Sequence, residues 1–271
     1  MTGEIVAKGI YKSFPGRRGR GALPVIDGVD LQLSPGEVVA LVGPSGCGKS
    51  TLLSVLAGFE TADHGTVHID GEEVAGPSRK RVLMPQSPSI FPWMSVSRNL
   101  MLVQNGAPEA EKRRRTAELL EMVGIADFAD AYPWQLSGGM RQRVELARAL
   151  VVQPEVLFMD EPFGALDALT RMQVRTEVLR ILLQNRLTTV LVTHDVEEAL
   201  HFADRVVVLS ERPTRVVRVI PVPYPHPRPD VRAELGVLED EILRELGIDR
   251  DEGRGPARAT VKTTRILVPP A

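Results

Sequence analysis

The chain has 271 residues, with 33 Lys and Arg against 35 Asp and Glu and a formal charge of −2, so it carries no global basic footprint for nucleic acid. One cysteine allows no intramolecular disulfide, which suits a reducing cytosol. No run approaches the roughly 18 apolar residues a membrane helix needs, and Glu4 and Lys8 interrupt the first apolar stretch against the pattern of a signal peptide.

Residues 1 to 35 read as short antiparallel strands, with Tyr11 on the first. Pro15 to Gly21 is a basic, glycine-rich hairpin tip, read as a solvated turn rather than a lipid contact. Glu37 to Val42 is an apolar, β-branched run that predicts a buried parallel strand. Gly43, Pro44, Ser45, Gly46, Cys47, Gly48, Lys49, Ser50 and Thr51 follow and satisfy G-x-x-x-x-G-K-[ST]. Strand, glycine loop and helix is the context that motif requires. Glycines at 43, 46 and 48 let backbone N–H groups curl around phosphate oxygens, and the opening helix points its positive end at them. Lys49 is expected to reach the β- and γ-phosphates, where a charge pair about 4 Å apart at an effective dielectric near 20 interacts by roughly 4 kcal/mol. Ser50 is expected to ligate Mg²⁺.

The stretch from 87 to 140 is mostly helical by pattern, with Glu111 to Val123 the clearest helix. Phe91, Trp93 and Met94, between two prolines and just after Gln86, form an apolar loop that suits either internal packing or a groove for a short helix. At Leu136-Ser137-Gly138-Gly139-Met140, Ser137 is a helix N-cap and the two glycines leave N–H groups free for an outside phosphate. Val156 to Met159 is a second buried strand ending in Asp160, placed to hold Mg²⁺, and in Glu161, placed to orient or deprotonate an attacking water. Thr188 to Thr193 is a third strand, and His194 at its end can donate a hydrogen bond to the γ-phosphate. His64, His68, His201 and His226 read as surface residues.

Taken together, these motifs resemble the nucleotide-binding subunit of ATP-binding cassette (ABC) transporters, over about residues 4 to 225. The decisive run is Leu136 to Arg143, similar to the signature motif of that superfamily. The resemblance implies an α/β fold: a P-loop NTPase core of ABC type, with an antiparallel β lobe and a helical lobe over about 87 to 140. It also implies two ATP molecules sandwiched in a head-to-tail dimer, Ser137, Gly138 and Gly139 completing the partner's site. Within it, Tyr11 matches the aromatic stacked on adenine, Gln86 the glutamine that meets Mg²⁺ and the attacking water, and Ala165-Leu166-Asp167 the loop where subunits touch. The Phe91 region matches the surface that receives a permease helix.

Motif flavours, among them Pro92-Trp93 and the run Glu161 to Arg171, look most like the ATPases of nitrate, sulfonate and taurine importers. The implied partners are a second copy of the chain or a homologous subunit, an integral membrane permease and, indirectly, an extracytoplasmic solute-binding protein, at the cytoplasmic membrane face. The alternatives are an exporter ATPase and a non-transport ABC ATPase, the latter usually carrying two cassettes or a long coiled insertion. One nucleotide-binding domain is expected over 1 to 225. Beyond it lie a stiff Pro-rich connector from Pro221 to Pro229 and a helix capped by Asp230 with Val231, Leu235, Leu238, Ile242 and Leu246 on one face. A mobile tail is expected from about Gly253.

Overall fold

The structure is a computed structural model that describes residues 2–16, 21–228 and 232–248. The tip arginines Arg17, Arg18 and Arg20, the Asp230 cap with Val231, and the tail from Gly253 lie outside the described residues.

Two sheets form the body. Strands β1 (Ile5–Phe14), β2 (Leu23–Leu33), β4 (His64–Ile69) and β5 (Glu72–Glu73) make an antiparallel sheet in the order β2-β1-β4-β5. Strands β3 (Val38–Val42), β6 (Arg81–Met84), β7 (Val156–Asp160), β8 (Thr188–Val192), β9 (Arg205–Leu209) and β10 (Val216–Pro221) make the second, in the order β10-β9-β3-β8-β7-β6. All of its neighbours run parallel except β10, which is antiparallel to β9. Every residue of β3, β7 and β8 is buried, as suits mostly apolar strands covered on both faces. The antiparallel lobe draws on more sequence than expected. Beyond residues 1 to 35 it takes in β4 and β5, because β4 finds its partner in β1 rather than in a parallel neighbour.

Helix α1 (Lys49–Ala57) fills the space between the two sheets, where Leu52, Leu53 and Leu56 meet Ile5, Ile10, Val39, Leu41 and Phe158. On the other side, α2 (Val96–Val103), α3 (Glu109–Met122) and α4 (Gly138–Val151) form the helical lobe, packed on the core through Val144, Ala147, Leu157 and Met159. The helical lobe therefore runs on to Val151, past the expected limit at 140. Helices α5 (Ala168–Asn185) and α6 (Val196–Phe202) complete the crossovers. Side-chain oxygens of Ser95, Ser137, Asp167 and Asp195 cap α2, α4, α5 and α6, each such cap contributing about 1 kcal/mol.

Helix α7 (Arg232–Glu245) buries Ile242 and lays Leu235, Leu238 and Leu246 against α6 and β10, so its apolar face is spent on the chain's own core. The Pro-rich stretch before it is a packed strap rather than a free connector. Arg228 is buried and donates to the carbonyls of Leu200 (2.7 Å) and Ala203 (2.9 Å), which lie at the end of α6 and lack helical partners. His226 is no surface residue either: its side chain is 6% exposed and neither ring nitrogen has a hydrogen-bond partner. Burial first, then the Arg228 and His201 charges, pull its pKa from 6.5 to about 4. The Asp204 carboxylate lies 3.8 Å away, its other oxygen accepting from the Val38 N–H (2.9 Å). His201 is also pulled down, by burial and then Arg175 and Arg228.

A folded pKa below the unfolded value means that the unfolded chain binds the proton more readily as pH falls. Stability should therefore be lost between about pH 6.5 and 4, by at most about 3 kcal/mol from His226. Thermal melts across that window should show the loss, and His226→Asn should flatten it, leaving a smaller slope of the same sign from His201. An unchanged slope in the variant would place the acid sensitivity elsewhere.

Candidate nucleotide site

The phosphate loop leaves β3 at Gly43 and enters α1 at Lys49. Gly48, the residue before the helix, has φ +125°, and a Cβ there would stand 2.8 Å from Val25 Cγ1. Only glycine fits. Ser45 and Gly46 face solvent, while Lys49 is buried and its Nζ donates to the carbonyls of Gly43 (2.7 Å) and Pro44 (2.9 Å). The amine lies folded along the loop it is expected to span when phosphate is present. Cys47 is buried with α1 and β9 side chains, so what it can offer a phosphate is its backbone. Thr214, between β9 and β10, supports that backbone from behind through a hydrogen bond from its hydroxyl to the Cys47 carbonyl.

Sheet order brings the acidic groups to the loop. β8 lies between β3 and β7, with Val192 in register with both Leu41 and Asp160, so the three strand ends form one row. Asp160 ends β7 and is 8% exposed. Burial pushes its carboxyl pKa up, opposed by a hydrogen bond with Ser50, with Glu161 raising and Lys49 lowering it further. Ser50 and Asp160 are thus near enough for the hydroxyl to lower the carboxyl pKa. A hydroxyl, a carboxylate and the amide oxygen of Gln86 are the hard oxygen donors Mg²⁺ takes, alongside phosphate and water.

Glu161 is the centre of a polar cluster. Its Oε2 accepts from Gln86 Nε2 (2.8 Å), and its Oε1 lies 3.2 Å from His194 Nδ1. The three candidate catalytic side chains, distant in sequence, therefore converge. Glu161 also has φ +49°, a region that costs a non-glycine residue about 1–3 kcal/mol, and its own N–H donates to the Val192 carbonyl (2.9 Å). Gln142 lies within the signature-like run but has no role of its own in the sequence reading, yet its Nε2 donates to the carbonyls of Pro162 (2.9 Å) and Glu161 (3.3 Å). The available signal was a polar residue on the buried face of α4.

Ser137, Gly138 and Gly139, at the start of the signature run, make no hydrogen bond to this cluster. Ser137 Oγ accepts from the Met140 N–H (3.2 Å), Ser137 and Gly138 are exposed, and nothing lies within 4 Å of where a Gly138 Cβ would be. Gly139 abuts Ala165, where a Cβ would be 3.2 Å from the carbonyl oxygen. Hydrogen bonds of Ser137 run to Met140 and Arg141 and none to the phosphate loop, so α4 presents its N-terminus outward. Tyr11 is 42% exposed on β1, edge-on to His64 with centroids 6.2 Å apart.

A groove of about 220 Å³ is lined by Val82, Leu83, Phe91, Val103, Ala149 and Val152, together with Glu145 and Arg148. Of the three apolar loop residues only Phe91 lines it. Trp93 is 67% exposed and Met94 half-buried outside it, because Asn99 ties the loop down through the Phe91 N–H (2.7 Å) and the Met94 carbonyl (3.1 Å).

The chain is similar to known proteins in sequence and in fold. Residues 26–164 match the ABC transporter family. The chain is 46% identical over 240 residues to the aliphatic sulfonates import ATP-binding protein SsuB 1 of Mesorhizobium japonicum, covering 88% of this chain and 87% of that one. It is 41% identical over 233 residues to the bicarbonate transport ATP-binding protein CmpC of Synechococcus elongatus, covering 84% of this chain but only 35% of that longer protein. The dimeric post-hydrolysis state of the ATP-binding cassette MJ0796 bound to ADP and Pi superposes with a TM-score of 0.74 at 29% identity, over 81% of this chain and 99% of that one.

Proposed function

Because the chain belongs to the ABC transporter family, with the P-loop NTPase fold of its cassettes, we propose that it is the ATP-hydrolysing subunit of an importer of the nitrate, sulfonate and taurine type. The observation that carries this reading is the meeting of Gln86 and His194 on Glu161, beside the Ser50 and Asp160 pair and the phosphate loop.

The loop amides and Lys49 bind the phosphates of ATP, and Tyr11 offers a free ring face to the adenine. Ser50, Asp160 and Gln86 would hold Mg²⁺, which when bound neutralises charge on the transferred phosphoryl group. Glu161 orients the attacking water and takes its proton. His194 shares that carboxylate and contacts the γ-phosphate, and Gln86 joins the pair to the loop leading to the groove. Ser137, Gly138 and Gly139 serve the site of a second copy, as the outward end of α4 and the dimeric MJ0796 cassette support. No helix among the described residues is long and apolar enough to cross a membrane. The transport path then belongs to an integral permease, which the chain meets peripherally at the cytoplasmic face, with a solute-binding protein on the far side.

The apolar groove around Phe91 is where a short permease helix would sit. Vesicles reconstituted with the chain and a permease encoded beside it should take up solute only when ATP is supplied on the chain's side. Phe91→Asp should weaken the purified complex by one to two orders of magnitude, as expected for a buried aromatic anchor of about 2 kcal/mol. Efflux in place of uptake would make the chain an exporter ATPase, and complex affinity unmoved by Phe91→Asp would place the docking surface elsewhere.

A further inference from the structure

Glu161 holds a left-handed backbone conformation without the freedom of glycine, at φ +49°, and the next residues turn away from β7. Such a conformation persists where surrounding groups fix it on more than one side. On the strand side the fixing group is the Val192 carbonyl, which accepts the Glu161 N–H (2.9 Å). On the opposite side the Glu161 carbonyl accepts the Gly164 N–H (3.3 Å) within the turn itself, and one side chain reaches in from another element. Gln142 is 2% exposed, and its amide nitrogen spans the Pro162 carbonyl (2.9 Å) and the Glu161 carbonyl (3.3 Å).

Helix α4, which carries Gln142, is itself anchored one turn further on. The Glu145 carboxylate accepts from the Ser89 N–H (3.2 Å) and hydroxyl (2.9 Å), and Arg148 donates to the Ser89 carbonyl (3.0 Å). Ser89 lies three residues beyond Gln86, whose amide meets Glu161. The same helix therefore grips the backbone of Glu161 and the loop of its side-chain partner.

We infer that Gln142 is a positioning residue for hydrolysis, holding the Glu161 turn so that its carboxylate faces the attacking water, and that α4 links this turn to the exposed Ser137 end. The inference rests on the assignment of Glu161 as the water-orienting group. A shift of α4 along its axis moves Gln142, and the Glu161 carbonyl with it. The hydrogen bonds of Gln142 go to the Glu161 and Pro162 carbonyls and none to the phosphate loop, so its loss acts on turnover and spares nucleotide binding.

The test compares Gln142→Leu, Glu161→Gln and the double variant as purified dimers, by steady-state ATPase and by titration with a fluorescent ATP analogue. Gln142→Leu fills the same space without the donor. It should lower kcat by about 10²-fold, the cost of a misplacement near 1 Å, with KM and analogue affinity within about twofold of the parent. In the Glu161→Gln background the same substitution should add nothing, because no carboxylate remains to be placed. A Gln142→Leu enzyme with parental kcat, a loss of analogue affinity matching the loss of rate, or a further loss in the double variant would each overturn the inference. Should Gln142→Leu not fold, Gln142→Met keeps length and bulk without the donor and is judged by the same three readouts. Full activity of Glu161→Gln alone would instead remove the assignment of Glu161.

Discussion

Glu161→Gln should abolish ATP turnover and leave nucleotide binding intact. The amide keeps the size of the carboxylate and can still meet Gln86 and His194, which now lie 2.8 Å and 3.2 Å from its oxygens. What it loses is the ability to accept a proton from water, and positioned bases are worth about 10² to 10⁴ in rate. Binding rests on other groups: the loop amides, Lys49 and the Ser50 and Asp160 pair, none of which Glu161 hydrogen-bonds. The measurement is phosphate release alongside equilibrium binding of ATP. Near-parental release would remove Glu161 from its role, whereas Lys49→Ala should weaken binding as well as turnover.

Mixing two dead variants should restore activity. Ser137→Arg blocks the outward end of α4 while leaving its own phosphate loop untouched, so it should bind ATP yet fail to hydrolyse it. Lys49→Ala fails for the opposite reason. In a mixed dimer one composite site joins the intact loop of the first subunit to the intact Ser137 end of the second, while the other site carries both lesions. Groups supplied in trans in phosphoryl transfer are worth roughly 10³ to 10⁵ in rate, so one restored site should stand well above either homodimer. The structure supports the design because Ser137 and Gly138 are exposed and bond only to their own helix. If each variant alone remained active as a monomer, the head-to-tail arrangement would be wrong.

Much of the site is legible in the sequence because its parts are local. A strand, a glycine loop and a helix in succession need no distant partner to be recognised, and Gly43 to Ser50, Ser137 to Gly139 and Asp160 with Glu161 each carry their chemistry within a few residues. The buried strands β3, β7 and β8 are equally local, since short, mostly apolar and β-branched runs suit strands covered on both faces. Other features depend on which segments meet. That β8 inserts between β3 and β7, setting His194 against Glu161, is a matter of strand order, and no local signal encodes it. Gln142 and Thr214 gain their roles only by packing against backbone 19 and 167 residues away. His226, polar and unremarkable in sequence, has its side chain buried and His201 is half-buried, where the Pro-rich strap brings Arg228 to the carbonyls at the end of α6. Sequence by itself determined the phosphate-binding chemistry and the family, since both reside in contiguous motifs. Tertiary structure alone decided the electrostatic environment and the supporting contacts, since burial and long-range hydrogen bonds exist only once the chain has closed on itself.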